Sequence, residues 1–424
     1  MKTSWFHLMP WRYLPADFRE RYHSIWVDLP NRLYDPRKGH HLYNEYLDML
    51  EYAETCGFDA IGVNEHHQNA YGMMPSPNIM AAALARRTSK ANLLVLGNSL
   101  ALYNPPVRVA EEFAMLDVIS GGRLIAGFPV GTSMDTNYCY GENPPLLREK
   151  YREAHDLVLK AWAEREPFAF NGKYTKLRYV NVWPQPIQKP HPPIWIPGLG
   201  SIETWDFCAQ HGYNYSYLSF SGYKRAQKVM EGYWERRAAR GLDDNPYSAA
   251  FFQQVCVSDT DASCEREWWP HVDYFFNNCL HLYPGMASAP GHMSEASLRA
   301  GIVSQVGNTG GNYGRDKSWK ELIDQRYIVA GSVETVTQQL EELVKSLRVG
   351  HLLLGVHIGS SPIDLTNRST YLLGQHVLPR LRPLWQGYED LWSPRPLPLE
   401  ERSVPGGHND FVRASAERAA EGVR

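Results

Sequence analysis

The feature that most constrains the fold is a regular alternation of apolar runs and amphipathic stretches between residues 57 and 131. The runs DAIGV, NLLVLGNSLAL and RLIAGF predict strands, and PNIMAAALARRT and PVRVAEEFAMLDVIS predict the helices between them. Such alternation builds a parallel sheet or barrel, in which the chemistry lies where the strands end. The first of these strands ends at Asn64, directly before Glu65, His66 and His67, so we expect a functional site there.

The same alternation continues toward residue 385 and predicts an α/β fold, a (β/α)8 TIM-like barrel with insertions after strands 4 and 7. Strands 3 and 4 are expected at 92–102 and 123–128. The other predicted strands are 3–9, DAIGV, PPIWIPG, YNYSYLS, AAFFQQVCVSD and HLLLGVHIG. Residues 10–40 have no clear period and are expected to form a long first loop over the active face.

Two segments interrupt the alternation and define the expected domain organisation. FAFNGKYTKLRYV is typical of a hairpin that turns at Asn171-Gly172. Residues 283–326 are rich in Gly, Ser, Asn and Pro and are predicted to form a mobile lid. The barrel domain would span 1–387, followed by a polar tail at 388–424 that is loosely held or wraps a partner subunit.

Charge and cysteine content exclude several classes of protein. The net charge of −3 and the scattered Lys and Arg residues give no electrostatic case for binding nucleic acid or an anionic membrane. The six cysteines form no C-x-x-C pair, which indicates reduced thiols in a cytoplasmic protein. The sequence has neither a signal-peptide core nor an apolar run long enough to span a bilayer.

His66 is the strongest candidate for chemistry. A histidine at the end of a barrel strand faces the active mouth, and an unperturbed pKa near 6.5 suits proton transfer at neutral pH. The residues around it could instead cap the strand by bonding to loop backbone. A metal site is a third possibility, but adjacent strand residues point to opposite sides, so His66 and His67 cannot easily share one ion.

A second candidate site begins where PPIWIPGLG leads into SIETWDFCAQHG. The free N–H groups at a helix start hold phosphate, and the small Gly200 lets an anion approach the backbone. Ser201 and Thr204 add hydroxyl donors one turn apart. Ser201 is equally suited to be an ordinary helix N-cap, and that alternative stays open.

A third feature is Gly97-Asn98-Ser99, which interrupts the apolar third strand. Glycine inside a strand often marks a β-bulge or a kink.

Together these motifs resemble the bacterial-luciferase-like flavin-dependent monooxygenases. The resemblance rests on GFDAIGVNEHH, PVRVAEEFAMLDVISGGRLIAG and PPIWIPGLGSIETWDFCAQHG in this order, and it covers residues 41–215 well and 330–385 loosely. It implies an enzyme that uses reduced FMN and O2 to oxygenate a small organic substrate through a flavin C4a-peroxide. The aromatic residues of the first loop indicate that this substrate is apolar. The resemblance also implies a two-component system in which a separate flavin reductase supplies the reduced FMN, and a homodimer or homotetramer.

The resemblance assigns roles to single residues. His66 would be catalytic beside the flavin, with Glu65 orienting either His66 or the flavin. The backbone of Gly97, Asn98 and Ser99 would form a bulge under the flavin ring, which in the family often contains a non-prolyl cis peptide.

At the other end of the flavin, Ser201 and Thr204 would contact the phosphate beside Gly200. Tyr151, within the sequence REKY, would reach the same phosphate, with a half-buried helix tyrosine as the alternative.

In one place the sequence departs from the family. The family often has an arginine near the flavin after strand 4, but residues 127–131 read GFPVG here. Asn137 from TSMDTNY is therefore the expected hydrogen-bond donor to the flavin. An F420-dependent oxidoreductase that transfers hydride and a non-catalytic flavin-binding protein remain alternatives. A metal-dependent barrel hydrolase is a weaker one, because carboxylate and histidine ligands are missing at the other strand ends.

Overall fold

The computed structural model describes residues 1–131, 133–218, 220–282, 291, 294–297, 299 and 314–402. Its strands are β1 Lys2–Phe6, β2 Ala60–Asn64, β3 Asn92–Leu96, β4 Leu124–Gly127, β5 Phe168–Asn171, β6 Lys176–Val180, β7 Ile194–Gly198, β8 Asn214–Tyr217, β9 Ala249–Val257, β10 Ile328–Gly331 and β11 His351–Gly355. Its α-helices are α1 Phe18–Arg21, α2 Pro36–Thr55, α3 Pro77–Arg87, α4 Val107–Ser120, α5 Met134–Tyr140, α6 Leu147–Ala163, α7 Ile202–His211, α8 Tyr223–Ala239, α9 Asp261–Tyr274, α10 Trp319–Asp324, α11 Val333–Leu347, α12 Ile363–Leu372 and α13 Leu378–Leu381.

Eight parallel strands close into a barrel, which confirms the predicted fold. The order around the barrel is β1-β2-β3-β4-β7-β8-β9-β11, and β11 pairs again with β1. The strand β10 lies outside this ring and was not predicted. It pairs in parallel with the far half of β9, which is nine residues long and extends beyond the barrel wall.

Local sequence signals explain where the helices begin and end. At the start of α2 the Asp35 carboxylate accepts hydrogen bonds from the backbone N–H groups of Arg37 and Lys38, at 2.8 and 3.3 Å. The helix α4 ends at Gly121, whose φ of +70° is a conformation that favours glycine. The helices α2 and α4 each bury one apolar face in the core, as the apolar spacing of the sequence predicts.

The third strand is shorter than predicted. It ends at Leu96, and Leu100–Leu102 form a short 3-10 helix in place of strand. Asn98 has a φ of +68°, so the chain leaves the sheet with an irregular backbone. Within the described residues the three cis peptide bonds all precede proline, so the non-prolyl cis peptide that the family often has in this strand does not occur at 97–99.

The insertion after the fourth barrel strand contains α5, α6 and the β5–β6 hairpin. The hairpin is antiparallel, as predicted, but its turn is longer than Asn171-Gly172, since Gly172 N donates to Thr175 O at 2.9 Å. The helix α5 was not predicted. Of the proposed lid at 283–326, the structure describes residues 291, 294–297, 299 and 314–326, and the latter include α10. The remainder lies outside the described residues, so the lid role stays a prediction.

Alternate residues of the barrel strands face opposite sides of the wall. Trp5 points outward, because its Nε1 donates to Oγ1 of Thr370 on α12 at 3.0 Å. Phe6 therefore points inward, and its ring centroid lies 5.6 Å from that of Phe252. A Cβ at position 62 would lie 2.6 Å from Phe6 Cδ2, so glycine at this position makes room for the inward ring.

The floor of the barrel is closed by the segment 388–402. Trp195 Nε1 donates to the Trp392 carbonyl at 2.9 Å, and Trp392 Nε1 donates to the Gly212 carbonyl at 2.8 Å. Burial alone would raise the pKa of Asp390, but His351, 3.6 Å away, lowers it well below its usual value. The described part of the predicted tail is thus packed against the barrel, and residues 403–424 lie outside the described residues.

Replacing Trp392 by alanine is expected to lower the free energy of unfolding by about 3–5 kcal/mol, the usual cost of emptying a buried tryptophan site. The indole is 9% exposed and holds the segment to Gly212. Urea denaturation measures the effect. The neighbouring Leu391→Ala is the control, because Leu391 is 56% exposed. Equal losses in both variants would contradict the role given to this segment.

No helix in the described part of the chain combines the length and the apolar character needed to cross a membrane.

Candidate active site

His66 is held by a buried aspartate that α5 brings to the mouth of the barrel. His66 Nδ1 lies 2.9 Å from Asp135 Oδ2, and the Asp135 side chain is fully buried. The same oxygen accepts from the backbone N–H of His67 at 3.3 Å and from Asn69 Nδ2 at 2.9 Å. Asp135 therefore ties together the residues that follow β2.

The ionisation of Asp135 determines what His66 can do. Burial alone would raise the pKa of Asp135, but the charge of His66 and the hydrogen bonds lower it overall. An ionised carboxylate accepts a hydrogen bond from His66 Nδ1–H, which leaves Nε2 as the unprotonated nitrogen of the neutral ring. The arrangement can take up a proton at Nε2 and stabilise the resulting imidazolium.

Glu65 does not orient His66, which corrects one of the two roles expected for it. Its carboxylate lies 2.9 Å from His67 Nε2, accepts from the Ser99 backbone N–H at 2.8 Å and accepts from the Tyr103 hydroxyl at 2.9 Å. Adjacent residues at the end of β2 thus pair with different carboxylates: His66 with Asp135, and His67 with Glu65. Glu65 links the end of β2 to the irregular segment after β3.

The segment 97–99 is fixed from several sides. A Cβ at Gly97 would lie 3.0 Å from both Glu65 Cβ and Pro77 Cγ, so a larger residue would force a shift. The Asn98 side chain exchanges two hydrogen bonds with Asn78, at 2.7 and 3.0 Å. Ser99 lies against the loop after β4, where a Cβ at Gly131 would be 3.2 Å from Ser99 Cβ. The backbone, rather than the Asn98 amide, is what this segment can offer to a ligand.

Asn137, the expected donor in place of the missing arginine, lies in α5 two residues after Asp135. Its Nδ2 donates to the carbonyls of Gly131 at 3.2 Å and Ser133 at 2.8 Å. Its Oδ1 is buried without a hydrogen-bond partner among the described residues. The Asn137 amide therefore uses its N–H groups to hold the loop after β4. Its carbonyl oxygen is the atom that a ligand could contact.

The start of α7 collects hydroxyl groups and an arginine that was not predicted. Ser201 Oγ lies 2.7 Å from Thr204 Oγ1 and accepts from Arg148 Nη2 at 3.1 Å. Gly200 has a φ of +103°, which a residue with a side chain rarely adopts. Burial lowers the pKa of Arg148, and Glu203 at 3.9 Å opposes that effect. The group remains cationic at neutral pH.

Beside these residues lies a small cleft that is open to solvent. Arg148, Thr204 and Tyr151 are among its lining residues. The Tyr151 hydroxyl, however, donates to the Phe128 carbonyl at 2.9 Å. Sequence reasoning selected Tyr151 but missed Arg148, although the two are three residues apart on one helix and therefore share a face.

Aromatic rings form a continuous wall from His66 into the barrel. We use the name aromatic wall for Trp26, Tyr71, Phe220, Phe252 and Phe6. The successive ring distances are 5.9 Å for Trp26–His66, 4.7 Å for His66–Tyr71, 6.3 Å for Tyr71–Phe220, 5.3 Å for Phe220–Phe252 and 5.6 Å for Phe252–Phe6. Trp26 belongs to the long first loop, which lies over this side of the mouth, as predicted.

No group of three or more His, Cys, Asp or Glu residues suited to hold a metal ion occurs in the ranges that the structure describes.

Sequence comparison places the chain among known enzymes. The family model for luciferase-like monooxygenases matches residues 26–349. The uncharacterized protein y4wF of Sinorhizobium fredii is 35% identical over 351 residues, covering 81% of this chain and 94% of that protein. The oxygenase component of a flavin-dependent trigonelline monooxygenase from Acinetobacter baylyi is 25% identical, covering 67% of this chain and 82% of that protein.

Solved structures share the fold. The oxygenating constituent of 3,6-diketocamphane monooxygenase from Pseudomonas putida, in complex with FMN, matches with a TM-score of 0.67 and 19% identity over 89% of this chain and 98% of that one. An F420-dependent secondary alcohol dehydrogenase matches with a TM-score of 0.62 and 18% identity, covering 90% and 99% of the two chains. With its barrel, its motifs and the match of the family model, the chain belongs to the luciferase-like monooxygenases, a family of oxidoreductases.

Proposed function

We propose that this enzyme uses reduced FMN and O2 to insert one oxygen atom into a small, apolar organic molecule. When bound, the reduced flavin supplies two electrons, so that substrate R–H and O2 yield R–OH, water and oxidised flavin. The observation that carries the proposal is the His66–Asp135 pair beside the aromatic wall, on the same barrel mouth as the cationic start of α7.

The residues at the start of α7 fit the phosphate of FMN. The backbone N–H of Ile202 donates to Ser297 Oγ at 3.1 Å, so an oxygen acceptor already occupies the position that a phosphate oxygen would take. Ser201, Thr204 and the Arg148 guanidinium would hold the other oxygens. Ser297 belongs to the insertion before β10 and also donates to Glu203 at 2.7 Å, so phosphate would compete with this segment.

At the other end of the site the chain's own residues manage protons and water. His66 Nε2 would accept a proton from, or return one to, the reacting oxygen, while Asp135 keeps the ring oriented. Trp26 and Tyr71 pack around the His66 ring and restrict the access of water. The backbone of Gly97–Ser99, fixed by Glu65, would support one face of the flavin ring.

The same site has two competing interpretations. A hydride-transferring enzyme that uses F420 is the first, and F420-dependent proteins share this fold. A non-catalytic flavin-binding protein is the second, and the buried carboxylate that orients His66 argues against it. We favour FMN because the relatives with a described activity include a flavin-dependent monooxygenase, and a monooxygenase that shares the fold is in complex with FMN.

Two partners belong to the proposal. A separate flavin reductase would supply reduced FMN, in line with the name of the trigonelline relative as an oxygenase component. A second copy of the chain is proposed as a homodimer or homotetramer partner. Its support is the set of exposed apolar side chains on α3 and α4, which are Ile79, Met115, Val118 and Ile119.

The proposed activity is tested by titrating the purified protein with reduced FMN and with reduced F420 in the absence of oxygen. O2 and a panel of apolar substrates are then added, and products are examined by mass spectrometry. We expect binding of FMN and a product that carries one oxygen atom from O2. Binding of F420 alone, with hydride transfer and no oxygen incorporation, would overturn the proposal.

Replacing Arg148 by alanine is expected to weaken FMN binding by roughly 10- to 100-fold, the usual effect of losing a hydrogen bond between charged groups. Riboflavin has no phosphate, so its affinity should change little. Fluorescence titration with both flavins measures the two effects separately. Arg165→Ala, an exposed arginine after the same helix, is the control. Equal weakening of FMN and riboflavin would place the phosphate elsewhere.

A further inference from the structure

The side-chain amide of Gln254 lies inside the barrel mouth, and it has no role in the proposed function. It lies two residues after Phe252 on β9, so the two side chains face the same side of the strand. A Cβ at Gly355 on the neighbouring strand would lie 2.7 Å from Phe252 Cζ and 3.2 Å from Gln254 Oε1. Both side chains therefore lie beside Gly355 and point into the barrel, and Gln254 is nearer the mouth.

Both polar atoms of Gln254 lack a hydrogen-bond partner within the described part of the chain, although the residue is only 2% exposed. Leaving a buried amide unpaired costs free energy, so such a group calls for an explanation. Asn64, at the inward-facing end of β2, repeats the pattern with a buried and similarly unpaired Oδ1. The mouth thus presents a donor and two acceptors that a ligand could satisfy.

The surroundings of Gln254 are flat and apolar. Phe252, which precedes it on the same face, is part of the aromatic wall that runs from Phe6 to His66. Rings packed in this way favour a planar ligand that contacts them by its faces and edges. The ligand would bury apolar surface against the wall and direct its polar edge to the amide.

The two polar atoms of Gln254 restrict the polar edge further. A carboxylate bound at Gln254 would accept a hydrogen bond from Nε2 but would leave Oε1 without a donor. A neutral group with adjacent donor and acceptor satisfies both atoms of the glutamine amide.

We propose that Gln254 determines substrate specificity by pairing with a neutral donor–acceptor edge, such as a primary amide, on a planar aromatic substrate. The inference rests on the proposed function, since it names the substrate class of that same site. Gln254 is a binding residue in this account, and His66 remains the group that handles the proton. The pyrimidine edge of the flavin is the competing partner for Gln254, and the experiment separates the two.

The test uses three probes of one shape: 1-naphthamide, 1-acetonaphthone and 1-naphthoate. Their affinities are measured by isothermal titration calorimetry for the full chain, with and without FMN. Wild-type protein should bind the amide about tenfold more tightly than the ketone, which cannot donate, and the carboxylate most weakly. Gln254→Leu should abolish the preference for the amide while leaving the ketone affinity within about twofold.

A variant of the adjacent glutamine serves as the control. Gln253→Leu alters the adjacent glutamine, whose Nε2 donates to the Tyr327 carbonyl at 3.0 Å, and should retain the preference. Gln254→Met is the second variant in case the leucine variant does not fold. An amide preference that is absent in wild type, or that persists in the Gln254 variants, overturns the inference. Weaker FMN binding in those variants also overturns it and assigns Gln254 to the flavin.

The two proposals fail separately. If the chain binds no flavin but distinguishes the amide from the ketone through Gln254, the proposed function is wrong and the inference on the ligand of Gln254 is retained. If it binds FMN and oxygenates substrates without this preference, only the inference on Gln254 falls.

Discussion

Replacing His66 by alanine is expected to lower the rate of substrate oxygenation by roughly 100- to 10,000-fold, the usual contribution of a positioned acid–base group. The reason is that the Asp135-oriented ring is the group at the mouth whose Nε2 can accept a proton. The affinity for reduced FMN should stay within about threefold, because the phosphate contacts lie at α7. Single-turnover kinetics and flavin titration measure the two quantities independently.

Asp135→Asn provides the matched test of how His66 is oriented. The amide cannot accept and stabilise the imidazolium as the carboxylate does, so we expect a loss of rate in the same direction with a changed pH profile. His376→Ala, an exposed histidine after α12, is the control and should leave the rate unchanged. If His66→Ala retains the wild-type rate, the catalytic assignment is wrong.

The second large effect concerns stability in acid. Burial lowers the pKa of His155 to about 4 and that of His357 to about 3, and it lowers the pKa of His7 as well. The rings of His7 and His357 stack at 4.7 Å in the core between the barrel and α2. These histidines stay neutral in the folded protein under conditions in which the unfolded chain takes up protons.

The sign of the pH effect follows from this difference. Above about pH 6.5, the ordinary pKa of histidine, the buried rings are neutral in both states and the full stability is present. As the pH falls below that value, only the unfolded chain binds protons, so the free energy of unfolding decreases until the folded pKa is reached. His155 and His357 should each contribute about 3 kcal/mol of lost stability by pH 4.

His357→Phe tests this prediction, because it keeps a ring in the stack and removes the titrating group. Urea denaturation between pH 7 and pH 4 should show a loss of stability smaller by about 2–3 kcal/mol than in wild type. His40→Phe, at an exposed position of α2, should leave the loss unchanged. An identical pH dependence in wild type and His357→Phe would contradict the account of buried neutral histidines.

The barrel could be predicted from the sequence because strands such as β2, β3 and β4 are short apolar runs that end at a glycine or a polar group. The strand β10, with the sequence IVAG, was not predicted. Its place is determined by pairing with the extended end of β9, a long-range contact that no local pattern records.

In the candidate site, too, some residues could be predicted from the sequence and others could not. His66 and Ser201 lie at a strand end and a helix start, which local patterns identify. Asp135 was missed because α5 is a short helix inside an insertion, and its contact with His66 spans 69 positions of the sequence. Arg148 was missed for the same reason, since its partner Ser201 lies 53 positions away. Glu65 was expected to orient either His66 or the flavin. Its carboxylate pairs with His67, and its role toward the flavin stays a prediction.

The most direct test of the account is a crystal structure of the protein with FMN bound. We expect the phosphate within hydrogen-bond distance of Ser201, Thr204 and Arg148, and the isoalloxazine ring between His66 and the backbone of 97–99. Ser297 should have left the N–H of Ile202. A flavin bound with its phosphate away from α7, or with its ring distant from His66, would contradict the account.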